Sequence, residues 1–119
     1  MPEPRRRRRG YVLWNGDWHE GVIGIVASRL AERFHRPVVL VTRSQDSWKG
    51  SGRSISSFDL HAGLAACSGH LERFGGHRAA AGLSIAEENI AAFADAFAGY
   101  ADEHMAGSQS RERAGAGGG

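Results

Sequence analysis

The sequence predicts one α/β domain, a small mixed sheet flanked by helices. A short apolar run at Tyr11–Trp14, an amphipathic stretch over Gly21–His35 and a continuous β-branched and aliphatic run at Val38–Val41 follow one another in strand, helix, strand order. That order suggests a βαβ crossover. A chain of 119 residues can bury one modest core, so a single domain is expected.

Tyr11 to Trp14 reads as a strand closed by the turn residues Asn15-Gly16-Asp17. The helix that follows carries Val22, Ile23, Val26, Leu30 and Phe34 mostly at three- and four-residue steps, with Arg29, Glu32, Arg33 and Arg36 largely opposite. Pro37 is expected to end it. Val38–Val41 then fits a strand buried on both faces. Residues Ser44 to Ser57 are polar and glycine-bearing, with a strand expected around Trp48 that runs into a turn at Gly50 and Gly52. Asp59 is placed to cap a helix through Leu60, Leu64 and Cys67 that Gly69 stops. A turn is expected at Gly75-Gly76. The three alanines from Ala79 suggest a short helical turn, and the alternation Leu83-Ser84-Ile85 a strand after it. Ile90, Phe93 and Phe97 mark a final amphipathic helix.

The expected boundaries are an Arg-rich disordered segment at 1–10, a folded domain at 11–100 and a flexible Gly-rich tail at 101–119. The formal charge is +2, and five of the fifteen basic residues form the run Arg5–Arg9. Between Tyr11 and Tyr100 eight basic side chains face nine acidic ones, so any phosphate contact there must come from a local cluster. No apolar run is long enough for a transmembrane helix, and no apolar stretch follows the arginines as an export signal requires. The lone Cys67 sits among apolar residues. It reads as a buried thiol in a protein of the reducing cytoplasm.

Two segments carry chemistry. Lys49-Gly50-Ser51-Gly52-Arg53-Ser54 joins two cations, two hydroxyls and two glycines, a set that can bind phosphate through backbone N–H groups, hydroxyls and an Arg fork. The same composition also makes ordinary solvated loops. Phe74-Gly75-Gly76-His77-Arg78 places a His and an Arg after paired glycines. If a helix followed, its N-terminus would favour an anion; otherwise the segment is a tight turn. The six histidines show no metal-ligand spacing. No Gly-x-Ser-x-Gly elbow surrounds Ser51 or Ser54, which counts against a hydrolytic triad with His77 and Asp59. Trp14, Trp18 and Trp48 could stack on bases or fill the core.

Three blocks together resemble one family. Trp18-His19-Glu20-Gly21-Val22-Ile23-Gly24-Ile25-Val26-Ala27-Ser28-Arg29-Leu30 is similar to the first helix of the DHH-associated domain of RecJ-type exonucleases. Gly50-Ser51-Gly52-Arg53-Ser54 with its continuation to His61 resembles that family's Gly-Ser-Gly-Arg-Ser turn. Leu71 to His77, followed by Ala80-Ala81-Gly82-Leu83-Ser84-Ile85, resembles its Gly-Gly-His signature and the next strand. The resemblance spans nearly all of Val12 to Phe97.

The resemblance implies a single-stranded DNA-binding domain of a 5′-to-3′ exonuclease of recombination and repair. In this reading Lys49, Ser51, Gly52, Arg53 and Ser54 meet the strand, while Gly75, Gly76 and His77 hold the phosphate near the scissile bond. The implied partners are single-stranded DNA and a DHH catalytic domain, in cis or in trans, that carries Mn²⁺ or Mg²⁺. No Asp-His-His motif occurs here. The chain is therefore expected to bind no metal, to be inactive alone, and to be a fragment or subunit. Two other readings stay open: the matching domain of an oligoribonuclease or cyclic-dinucleotide phosphodiesterase, and a stand-alone nucleic-acid-binding module.

Overall fold

A computed structural model describes residues 9–116, with side chains through residue 105; Arg5–Arg8 of the basic run lie outside the described residues. Five strands form one mixed sheet: β1 (Tyr11–Trp14), β2 (Val38–Ser44), β3 (Ser47–Arg53), β4 (Arg73–Gly76) and β5 (Ala80–Ile85). Their spatial order is β1-β2-β3-β5-β4. β1 runs parallel to β2 through the expected crossover, and the other neighbours are antiparallel. The helices are α1 (Glu20–Phe34), α2 (Leu60–Ala66) and α3 (Ile90–Ala116).

α1 starts where His19 leaves the extended conformation and its Nδ1 accepts the Gly21 N–H at 3.0 Å. It is closed after Phe34 by a left-handed His35, φ 55°, whose N–H returns to the Ala31 carbonyl, so a left-handed cap rather than Pro37 alone stops it. The buried stripe is Ile23, Ala27 and Ala31, packed on Val38 and Leu40. Of the stripe expected from the periodicity only Ile23 is fully buried, while Val22, Val26 and Phe34 are exposed. The reason is size: alanines let the helix axis approach the sheet, and the bulkier valines are left on its flank.

The opposite sheet face carries the larger core, where Val39, Val41, Leu83 and Ile85 meet Leu60, Leu64, Phe93 and Phe97 from α2 and α3. Asp59 caps α2 as expected, accepting the Ala62 N–H at 3.1 Å. The helix ends at Ala66, and a 3₁₀ turn at Ser68–His70 takes the place of a simple glycine stop.

Three expectations are corrected. Gly50 and Gly52 lie inside β3 and form no turn. A methyl group on Gly50 would meet Leu83 at 2.9 Å, and one on Gly52 would meet Leu60 at 3.2 Å, so these glycines make room for the core. Ala80–Ile85 is strand from its first residue, because pairing with both β3 and β4 outweighs alanine's helical preference. Finally, the domain reaches past Tyr100. Ala101 and Met105 are buried in the core, and the Arg9 N–H binds the Asp102 carboxylate at 2.9 Å.

Candidate nucleic-acid interface

Side chains alternate across a strand, and in β3 the alternation separates packing from chemistry. Trp48, Gly50 and Gly52 face the large core; Lys49, Ser51 and Arg53 face the side that α1 covers only in part. α1 lies over β2 and β3, leaving the same face of β5 and β4 open. The pairings Lys49↔Ser84↔Arg73 and Ser51↔Gly82↔Gly75 lay two rows of residues across that open face, and Arg53↔Ala80 begins a third.

A groove of about 480 Å³ follows these rows, lined by Glu20 and Ile23 of α1 and by Lys49, Ser51, Arg73, Gly75, Gly82 and Ser84 of the sheet. Its floor is nearly bare backbone. A methyl group on Gly75 would touch nothing within 4 Å, and one on Gly82 would meet only the Gly50 carbonyl at 3.6 Å. A ligand can therefore approach the peptide planes closely. The side chains of Lys49 and Arg73 make no hydrogen bond or ion pair among the described residues. Glu20 adds one carboxylate to the rim, where it accepts the Ser44 hydroxyl.

Arg53 is tucked beneath α1. Its Nη1 donates to Ser51 Oγ at 3.1 Å and to the Gly52 carbonyl at 2.7 Å, and the guanidinium opens on a second hollow of about 530 Å³ beside Gly24, Ser28, Arg29 and Glu32. Ser51 thus links the two hollows: it lines the first and accepts from the arginine of the second. Ser54 turns away, its Oγ 2.9 Å from the Phe58 carbonyl.

The Gly-Gly-His segment ends β4 and opens a hairpin. Gly76 has φ 140°, and a methyl group there would lie 2.5 Å from the Ala80 carbonyl oxygen, so only glycine fits. The His77 N–H donates to that same carbonyl at 2.9 Å. The element after His77 is the strand β5, which removes the helix N-terminus that the alanines suggested. The hairpin tip is tied down instead: Ser54 N–H reaches the Ala79 carbonyl, Leu60 N–H the Arg78 carbonyl, and Arg78 Nη2 the Ser56 carbonyl at 3.0 Å. Arg53 and His77 therefore flank Ala80 at one end of the sheet, although Arg53 opens on the second hollow and exposed His77 lines neither of the two.

Arg73, Ser84, Gly82 and Glu20 join the groove without having been singled out by residue type. The alternation of Leu83-Ser84-Ile85 was the available signal for Ser84; Arg73 and Gly82 needed the strand pairing, and Glu20 the packing of α1 on the sheet. Among the described residues no three His, Cys, Asp or Glu side chains gather closely enough to hold a metal ion. The donor set for a divalent cation does not fit here, and no chemical step is assigned to one. No described helix is long and apolar enough to cross a membrane.

The DHHA1 domain model matches residues 10–103. The single-stranded-DNA-specific exonucleases RecJ of Dickeya dadantii and Escherichia coli are each 42% identical, over 105 and 93 residues, covering 84% and 74% of this chain but 18% and 16% of those proteins. The chain thus spans less than a fifth of their length. The crystal structure of RecJ from Thermus thermophilus in complex with Mg²⁺ superimposes with a TM-score of 0.74 at 38% identity, over 81% of this chain and 15% of that one. Exonuclease RecJ bound to manganese gives 0.73 at 37% identity, over 79% and 23%. With its mixed five-stranded sheet and a family match across nearly the whole described fold, the chain belongs to the DHHA1 domain family.

Proposed function

We propose that this domain binds single-stranded DNA along the open face of β3, β5 and β4 and positions it for a metal-dependent DHH catalytic domain, on the same chain or a partner. The observation that carries this reading is the glycine-floored groove with unengaged Lys49 and Arg73 at one end and the Ser51–Arg53 pair toward the other. Relatives named single-stranded-DNA-specific exonucleases support the choice of ligand. A bare floor admits a strand without reading its sequence, and phosphate contacts set its register.

In this reading Ser51 and Arg53 hold one phosphate, and the tied hairpin carrying Gly75, Gly76 and His77 faces the scissile one. Hydrolysis needs a metal-activated water, which the partner domain supplies, so this chain alone binds without cutting. The buried lone thiol of Cys67 suits a reducing cytoplasm.

The test is fluorescence anisotropy with labelled single-stranded DNA and the matching RNA, using the full chain with Arg5–Arg8 changed to serine. Salt-sensitive DNA binding that Arg53→Gln weakens at least about fivefold is expected, with a slope set by the number of phosphates neutralised. Binding that disappears once the arginine run is removed would assign the affinity to that run and overturn the proposal. Clear preference for RNA would favour the oligoribonuclease-like alternative.

A further inference from the structure

Ser84 stands between two cations. Because β5 pairs with β3 on one side and β4 on the other, Lys49, Ser84 and Arg73 fall in one row on the open face. Neighbouring strands lie about 4.8 Å apart, which puts the Lys49 and Arg73 backbones about 10 Å from each other with a hydroxyl at the midpoint. Both cations line the groove, and both side chains are long enough to converge on one anion above Ser84.

The next row along β3, Ser51–Gly82–Gly75, holds one short side chain, and Arg53 stands a further row on. Each row step is about 6.7 Å along the strand, so Lys49 and Arg53 are about 13 Å apart at the backbone. Between them lies the strip over Gly75 and Gly82, open above its peptide planes. On the α1 side the Glu20 carboxylate borders the same groove, fixed by the Ser44 hydroxyl. A phosphate is repelled from that wall, and a base or sugar that donates a hydrogen bond is accepted there.

We infer that Lys49, Ser84 and Arg73 form a second phosphate subsite, and that the glycine strip between it and the Ser51–Arg53 pair seats the intervening nucleoside against the peptide backbone. The inference rests on the proposed single-stranded DNA binding and goes beyond it. It assigns Arg73 and Ser84 a direct role, and it sets the bound strand parallel to β3 with two held phosphates.

The experiment uses the full chain with Arg5–Arg8 changed to serine and oligothymidines carrying one neutral methylphosphonate linkage, moved stepwise along the strand. Two sensitive linkages are expected, no more than two positions apart. Lys49→Gln and Arg73→Gln should each weaken binding about three- to tenfold and lower the salt slope by about 0.7, and together they should erase sensitivity at one linkage. Arg53→Gln should erase it at the other. If Arg73→Gln binds with wild-type affinity and slope while Arg53→Gln is impaired, the second subsite is wrong and the DNA-binding reading stands. If all three variants bind as the wild type does, both are wrong. Arg73 and Lys49 are exposed, and a circular dichroism melt confirms that the variants fold.

Discussion

Gly24 of α1 lies directly over Arg53 of β3, so close that a methyl group on the glycine would sit 2.9 Å from Arg53 Nη2 and 3.2 Å from Ser51 Oγ. The glycine sets how deeply the guanidinium can tuck beneath the helix. Gly24→Ala should therefore separate stability from binding. The atom in the way is the end of a flexible side chain, which can yield, and alanine is favoured over glycine in a helix interior by about 1 kcal/mol. The melting temperature should hold or rise by a few degrees, while single-stranded DNA affinity falls about three- to tenfold as Arg53 is displaced. Unchanged affinity would mean that Arg53 does not act from this position.

Two glycines of the sheet should respond in opposite ways. At Gly50 an added methyl group would press on Leu83 at 2.9 Å and Val41 at 3.2 Å, an overpacked site, and Gly50→Ala should cost about 1–3 kcal/mol in urea unfolding. At Gly75 nothing lies within 4 Å. Gly75→Ala should change stability by less than about 0.5 kcal/mol and weaken binding by raising the groove floor. The reverse ranking would show that the floor is misassigned.

Glu20→Gln should strengthen binding. The substitution removes the one negative side chain that lines the groove among the described residues and keeps an oxygen to accept the Ser44 hydroxyl. A like-charge repulsion across a solvated groove is modest and screened, so a gain of about two- to fivefold is expected at low salt. Titrations across salt concentrations check it, since the advantage should vanish as salt rises. A loss of affinity would instead show that hydrogen bonds accepted by the carboxylate outweigh its repulsion of phosphate.

Alkaline pH should destabilise the fold. Burial pushes the Cys67 thiol above its ordinary value of 9.0, and burial, followed by the negative charges of Asp59, Cys67 and Glu103, pushes the Tyr100 hydroxyl up as well. A group whose proton is held more tightly in the folded state contributes stability that is full below its unfolded pKa and lost as pH rises through the folded one. For Cys67 the loss begins near pH 9.0, the thiol's ordinary value. Melting temperatures from about pH 8 to about pH 10.5 should fall for the wild type and fall less steeply for Cys67→Ala, from a lower starting point. Parallel profiles would exclude the thiol as a cause.

The crossover from Tyr11 to Val41 was legible because helix and strand periods differ and Val38–Val41 has no polar break, and Asp59 was legible as a cap by type and place. β3 was harder. Gly50 and Gly52 look like a turn until Leu83 and Leu60 are seen to need their space, a tertiary demand that local preference does not carry. The inner face of α1 was obscured for a related reason, since alanines decide the contact and valines dominate the hydropathy. In the groove, Lys49, Ser51 and Gly75 drew notice through their chemistry. Arg73 and Ser84 did not, because only strand pairing across nonconsecutive segments sets them beside Lys49. The C-terminal boundary fell short because Ala101 and Met105 complete a helix whose later residues look like a tail.

β4 is the last strand of its sheet, four residues long, with two glycines and a neighbour on one side only. β3, by contrast, sits between two partners and supports buried core. The two banks of the groove therefore differ in how readily their amides trade protons with water. Those facing away from β5 in Arg73–Gly76 have no strand partner and exchange readily, whereas those of β3 are held in two ladders and exchange slowly. A strand lying across both would slow exchange chiefly along β4, so that occupancy is written into the softer bank while the harder one stays as it was.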